Sequence, residues 1–277
     1  MRWRQFFTPV QSIDTRRARE MIETTPTEGL TILDVRQPGE YEIGHLPGAH
    51  LIPLPDLGDR LDELDAGRPT VVYCAVGGRS RVAAQMLAGR GFDAVFNMAG
   101  GFKAWNGNAA VGLEESGMAL FTGRETPREA LIVAYSLEQG LQDFYLSMVP
   151  NVDNGDVKAL FAKLADIEIK HQDRLFETYT RITDAPLSRE AFVEKTVAEV
   201  VEGGLTTDDY IRLFAPDLDS PQEVIGLAMS IEAQALDLYL RAARASADAD
   251  TRQHFVQIAD EEKAHLQQLG ELIERLT

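Results

Sequence analysis

The chain has 277 residues, 44% hydrophobic and 26% charged, long for one domain and comfortable for two. A formal net charge of −17 disfavours nucleic-acid and anionic-membrane partners, and no run approaches the roughly 20 apolar residues that cross a bilayer. A single cysteine, Cys74, excludes an internal disulfide and any metal centre held by four thiolates of this chain. The acidity is uneven. Residues 1–118 carry 12 Lys+Arg against 15 Asp+Glu, and residues 119–277 carry 15 against 29. Most of those carboxylates read as a solvated helical surface. Met1 to Pro9 has charge but neither an apolar h-region nor a small-residue cleavage site, so a cytoplasmic location is expected.

In chain order, Ser12–Ile22 reads as a short helix with Ser12 or Asp14 as its N-cap. Leu30–Val35, Thr70–Cys74 and Ala94–Asn97 read as strands, and Ser80–Arg90 as a helix. Such alternation predicts an α/β domain over 1–112, a parallel sheet with flanking helices. Residues 113–124, with Gly117 and Gly123, read as a linker. Beyond it the pattern is helical, with long helices at about 126–149, 154–182, 221–246 and 249–276. Thr126-Pro-Arg-Glu129 and Ser220-Pro-Gln-Glu223 look like capped starts with Pro at the first helical position. Residues 125–277 are therefore expected to form an all-α four-helix bundle, with a crossover over about 183–220 holding two shorter amphipathic pieces.

An internal duplication carries the bundle's chemistry. Glu138 is followed 30 residues on by Glu168 and then by His171; Glu232 is followed at the same intervals by Glu262 and His265. Tyr135–Leu146 aligns with Met229–Leu240, and Ala165–His171 with Ala259–His265. Glu and His at i and i+3 stand about 60° apart on one helix face, so both can reach one ion. The 30-residue interval suits a helical hairpin, whereas the 61 residues from His171 to Glu232 demand a long crossover. Apolar neighbours (Leu137, Leu141, Ile231, Leu236) put the carboxylates in the core, where they need cations. Carboxylate and imidazole donors suit iron, manganese or zinc, and iron is favoured because open positions and bridging carboxylates support O2 or peroxide chemistry.

On these residues, 125–277 resembles the rubrerythrin and erythrin branch of the ferritin-like di-iron proteins. The resemblance implies two iron ions per chain, with manganese as the alternative. Their ligands would be Glu138, Glu168, His171, Glu232, Glu262 and His265, Glu168 and Glu262 forming the bridging pair. An additional Glu usual on the third helix is missing, since Met229 and Ala235 occupy the flanking positions. The rubredoxin domain usual in rubrerythrins cannot be built with one cysteine, so electrons would come from an external donor. Ferritin-like bundles often pair, and a homodimer is expected. Tyr145 and Tyr239, each seven residues after a ligand Glu, read as core.

Cys74-Ala-Val-Gly-Gly-Arg-Ser80 leaves a strand and enters a helix, the end of a parallel sheet where ligands bind. Gly77 and Gly78 let successive N–H groups turn inward as an anion nest. The helix N-terminus and Arg79 should depress the thiol pKa and stabilise a thiolate or persulfide. With Leu33–Arg36, Glu40–Ala49 and Gly100–Trp105, the loop makes residues 10–107 resemble a single-domain rhodanese. The resemblance implies catalysis by Cys74 and Arg79, an anion-binding loop of Ala75, Val76, Gly77, Gly78, Arg79 and Ser80, and support from Asp34 and Arg36. His45 is expected to stabilise its loop; His50 has no assigned role. Arg79 five residues after the cysteine matches the short rhodanese loop and disfavours a phosphatase. The function expected is sulfur transfer from thiosulfate or a low-molecular-weight persulfide to a thiol, coupled to O2- or peroxide-dependent redox chemistry at the di-iron site. The alternative is an iron-binding or sensing protein whose rhodanese module serves as a sulfur or redox handle.

Overall fold

The computed structural model describes residues 9–121, 123–183, 188–194 and 207–275. The chain divides into two compact units, Met1–Glu114 and Glu115–Thr277. In the first, β1 (Gln11–Ile13), α1 (Thr15–Thr24), β2 (Thr31–Asp34), α2 (Pro38–Ile43) and β3 (His50–Leu51) are followed by β4 (Thr70–Tyr73), α3 (Gly78–Ala88), β5 (Val95–Met98) and α4 (Gly101–Ala104). All strand pairings are parallel, in the order β1-β5-β4-β2-β3. Central β4 is buried at every residue, as a parallel strand covered on both faces must be. Its side chains alternate between two cores. Val72 packs with Leu33, Cys74 and α3 residues Ala83, Ala84 and Leu87, and Val71 with Ile13, Tyr41, Leu46 and Met98.

The N-terminal helix starts later than its sequence suggests. Ser12 and Ile13 belong to β1, paired with Asn97 and Met98, and Asp14 is the N-cap, accepting from Arg17 N–H at 2.8 Å. Two or three residues are too few for a periodic signal, which is why β1 and β3 were not legible as strands.

A buried ion pair secures the carboxyl end of β2. Arg36 donates from Nε and Nη2 to Asp34 Oδ2 at 2.9 and 2.7 Å, and from Nη2 to the Gly44 carbonyl at 2.7 Å. Its guanidinium carbon lies 4.4 Å from the Phe102 ring centroid. Asp34 is fully buried and Arg36 nearly so.

The second unit contains α5 (Pro127–Met148), α6 (Gly155–Arg181), α7 (Arg189–Val193), α8 (Thr207–Phe214), α9 (Pro221–Ala245) and α10 (Ala249–Glu274). It is a ferritin-like bundle in which α5 packs on α6 and α9 on α10. The two short helices α7 and α8 fall in the crossover; 184–187 and 195–206 lie outside the described residues. Capping repeats with the duplication. Thr126 and Ser220 accept from the N–H groups of Glu129 and Glu223, and Asn154 and Asp248 cap the second helix of each hairpin. Each pair of caps is 94 residues apart, as are Glu138 and Glu232, so each candidate ligand is set at a matched distance from its helix start. Within 113–124, Phe121 is buried in the bundle core and the Ser116 carbonyl accepts from Arg241 Nη1 at 2.6 Å. Tyr145 and Tyr239 are both fully buried in the bundle cores.

Removing one partner of a buried ion pair strands the other charge, so Asp34→Ala should lower unfolding free energy by about 3–5 kcal/mol. Urea denaturation measures this, and a loss below about 1 kcal/mol, the worth of an exposed pair, would contradict the structural role.

Candidate functional sites

Cys74 is the first residue beyond β4, and its sulfur is almost completely buried. The loop that follows is held from behind by α4. Phe102 N–H donates to the Cys74 carbonyl at 2.7 Å and Lys103 N–H to the Ala75 carbonyl at 3.0 Å. This approach requires glycine at 101, where φ is +60° and a Cβ would stand 2.2 Å from the Cys74 carbonyl oxygen. Gly77, at φ +96°, makes the turn into α3, and a Cβ there would press on Gly100 N at 3.2 Å.

With its first two carbonyls tied to α4, the loop turns N–H groups toward the sulfur. Gly77 N–H donates to Cys74 Sγ at 3.1 Å. Ser80 Oγ lies 3.5 Å from the sulfur but only 2.7 Å from Asn97 Oδ1. A hydroxyl has one proton to give, so the backbone is the firmer donor to sulfur. Burial alone would push the Cys74 thiol up; hydrogen bonds from Ser80 and from the Val76 and Gly77 N–H groups outweigh it, and the thiol pKa is lowered.

Arg79 sits at the loop's rim with its fork occupied. Nη1 and Nη2 reach Glu40 Oε2 and Oε1 at 2.7 and 2.6 Å. The Arg79 hydrogen bonds, with help from Gln37 N–H and against some burial, hold the Glu40 carboxyl at about 2. Glu40 belongs to a capping box at the start of α2, so one side chain anchors both that helix and the loop arginine. Sequence reasoning assigned Glu40 no role: its partner is 39 residues away, and no local pattern signals the pairing. Asp34 and Arg36 hold each other and the Gly44 carbonyl. Val76 is exposed at the loop's tip, and Ala75 and Gly78 complete the turn. His45 stacks on Tyr41 with centroids 3.5 Å apart, its Nδ1 2.9 Å from the Tyr41 carbonyl, and His50 Nε2 lies 3.1 Å from Glu63 Oε2.

In the bundle, the six residues singled out by spacing form two clusters, Glu138–Glu168–His171 and Glu232–Glu262–His265. Within each cluster one ligand atom per residue lies within 4.8 Å of the others. All six are buried. His171 Nδ1 is 2.8 Å from Glu168 Oε2 and 3.2 Å from Glu138 Oε2; His265 Nδ1 is 3.1 Å from Glu262 Oε2 and 3.7 Å from Glu232 Oε2. The imidazoles stack with centroids 3.7 Å apart and planes 1° apart, which joins the two clusters. On α5, α6 and α9 these residues fall between two apolar core clusters, a polar layer across the bundle.

The donor set fits a pair of cations. Four buried carboxylates face two imidazoles, a surplus of negative charge even with both rings protonated. Glu232 Oε2 is buried without a hydrogen-bond partner. Burial opposes charge on Glu232, but His265, with Glu262, outweighs it and lowers the carboxyl pKa. Against its own burial, the Glu232 carboxylate raises His265. An arrangement that pulls cationic charge toward carboxylate oxygens and Nδ1 atoms suits hard or borderline metal ions.

Comparisons with known proteins divide along the same line. The Rhodanese-like domain family matches residues 14–108, and the Rubrerythrin family matches residues 129–273. Bacillus subtilis YqhL is 43% identical over 76 residues, 27% of this chain and 60% of YqhL, so the chain spans about three-fifths of that relative's length. The thiosulfate sulfurtransferase GlpE of Shewanella oneidensis is 34% identical over 87 residues, 31% of this chain and 86% of GlpE. The crystal structure of a rhodanese-like domain protein from Staphylococcus aureus is 30% identical, covers 35% of this chain and 92% of its own, and superposes with a TM-score of 0.33. Among the described residues, no helix is long and apolar enough to cross a membrane.

The lowered thiol pKa gives a pH signature. Thiolate increases with pH, so iodoacetamide alkylation of Cys74 should rise with pH at a midpoint below the ordinary 9.0, and the midpoint should return upward in urea. A native midpoint at or above the unfolded one would show that the loop does not stabilise the thiolate.

Proposed function

The chain belongs to the rubrerythrin family and carries a rhodanese-like domain, and on that premise we propose that it is a sulfurtransferase acting through a Cys74 persulfide, joined to a di-iron carboxylate centre for O2- or peroxide-dependent redox chemistry. The observation that carries the first half is the Gly77 N–H donated to a sulfur whose pKa the loop lowers. The Cys74 thiolate attacks the outer, sulfane sulfur of thiosulfate. The S–S bond breaks, sulfite leaves with the bonding electron pair, and a persulfide remains on Sγ. An acceptor thiolate then takes the terminal sulfur, and the Cys74 thiolate is regenerated. A low-molecular-weight persulfide can replace thiosulfate as donor, its thiolate leaving in place of sulfite. The N–H nest stabilises the anionic sulfur at both stages. Glu40 keeps Arg79 at the rim, and Gly101 of α4 lets the Phe102 and Lys103 N–H groups hold the loop carbonyls away from the incoming anion.

In the bundle, Glu138, Glu168 and His171 would hold one iron and Glu232, Glu262 and His265 the other, with Glu168 and Glu262 as the bridging pair. Iron supplies electron transfer to O2 or peroxide, with reducing equivalents from an external donor. The six residues form an oxygen-rich, net negative layer between apolar cores that restrict water.

Cys74→Ser should abolish thiosulfate:cyanide sulfurtransferase activity and leave metal content unchanged; retained activity would sink the persulfide assignment. Elemental analysis of protein purified without added metal should give about two irons per chain, and His171→Ala about one. Zinc alone would refute the iron assignment, and a His171→Ala variant with full iron content would refute the ligand assignment.

A further inference from the structure

A cavity of about 540 Å³ opens between α6 and α10 on the outer side of the histidine pair. Both Nδ1 atoms are turned to the carboxylates, so the opposite imidazole edges, carrying Nε2, are left to this cavity, which both rings line. The rings, 3% and 6% exposed, form its floor. An imidazole whose Nδ1 binds a metal keeps its proton on Nε2, and the parallel stacking sets two such N–H donors side by side. At the rim, α6 adds Lys170 and Arg174, and α10 adds Asp260, Glu261 and Gln268. Arg174 and Glu261 pair loosely at 3.7 Å, both well exposed, so the arginine can be drawn away by a competing acceptor.

The cations do not follow from the duplication. At the 94-residue offset that superposes His171 on His265, Lys170 corresponds to Ala264, Arg174 to Gln268, and Ile167 to Glu261. One repeat thus supplies both positive charges and the other a small residue and a neutral amide.

We propose that this cavity binds a small oxyanion. Its oxygens accept from the Nε2–H groups of His171 and His265 and from Lys170, and Arg174 exchanges Glu261 for the bound anion. The inference rests on the dimetal reading, because metal on Nδ1 is what fixes the proton on Nε2. Sulfite, the leaving group of thiosulfate, is one such anion; sulfate represents the class without that link.

The test uses the full chain loaded with cobalt(II), whose visible bands report on its immediate surroundings. Cobalt per chain is measured first, and sulfite and sulfate are then titrated in separate samples at low ionic strength. A saturable band shift is expected. The double variant Lys170→Ala/Arg174→Ala, with unchanged cobalt content, should need at least about tenfold more anion for half-saturation, equivalent to about 1.4 kcal/mol. Tighter binding of sulfite would support the site and identify its occupant; equal binding would support a general oxyanion site. Full cobalt loading without a saturable shift, or a double variant that titrates like the native chain, would overturn this proposal alone. Failure to take up cobalt would overturn the dimetal reading and this proposal with it.

Discussion

Burying four carboxylates and two imidazoles in the middle of an apolar bundle is the constraint that organises the second unit. No arrangement of these six groups alone neutralises the charge, so the fold is completed by cations or strained without them. Much else in the unit serves that layer. Small and apolar residues on both sides form separate cores. The N-caps repeat at the same interval as the buried glutamates, so each helix begins at the place that delivers its glutamate to a common plane. Stacking His171 on His265 brings the two hairpins' candidate ligand clusters together.

The first unit solves a different electrostatic problem with backbone dipoles. Its sulfur is buried, yet the thiol pKa is lowered, while both Arg79 Nη atoms are held by Glu40. The Ser80 hydroxyl and peptide N–H groups lower that pKa, and the orientation of those N–H groups depends on where the loop carbonyls are tied. Phe102 and Lys103 tie them, and only glycine at 101 permits the approach. The Cys74 loop is therefore shaped by a segment more than 25 residues away in the chain. The buried Asp34–Arg36 pair plays the parallel role at the neighbouring strand end, holding Gly44 and packing on Phe102.

Legibility followed the range of the interactions. The long helices were readable because 3.6-residue periodicity and capping pairs are local, and observed ends fall within about two residues of those expected. The metal-ligand candidates were readable because duplication turned a spatial relation into a repeated interval. β1, β3 and α4 were not, being two to four residues long and held by pairing or packing rather than by pattern. Glu40 stood in plain view within the motif from Glu40 to Ala49, yet nothing local connects it to Arg79.

Sequence by itself determined the two-part organisation, the parallel sheet followed by a helical bundle, the nucleophile candidate and the six buried ligand candidates, because composition, period and spacing are properties of the chain. Only the tertiary structure decided which N–H groups face the sulfur, that Arg79 is clamped, that the histidine rings stack, and that a cavity lies against their outer edges. Those relations depend on distances between residues far apart in sequence, which are fixed when the elements pack and not before.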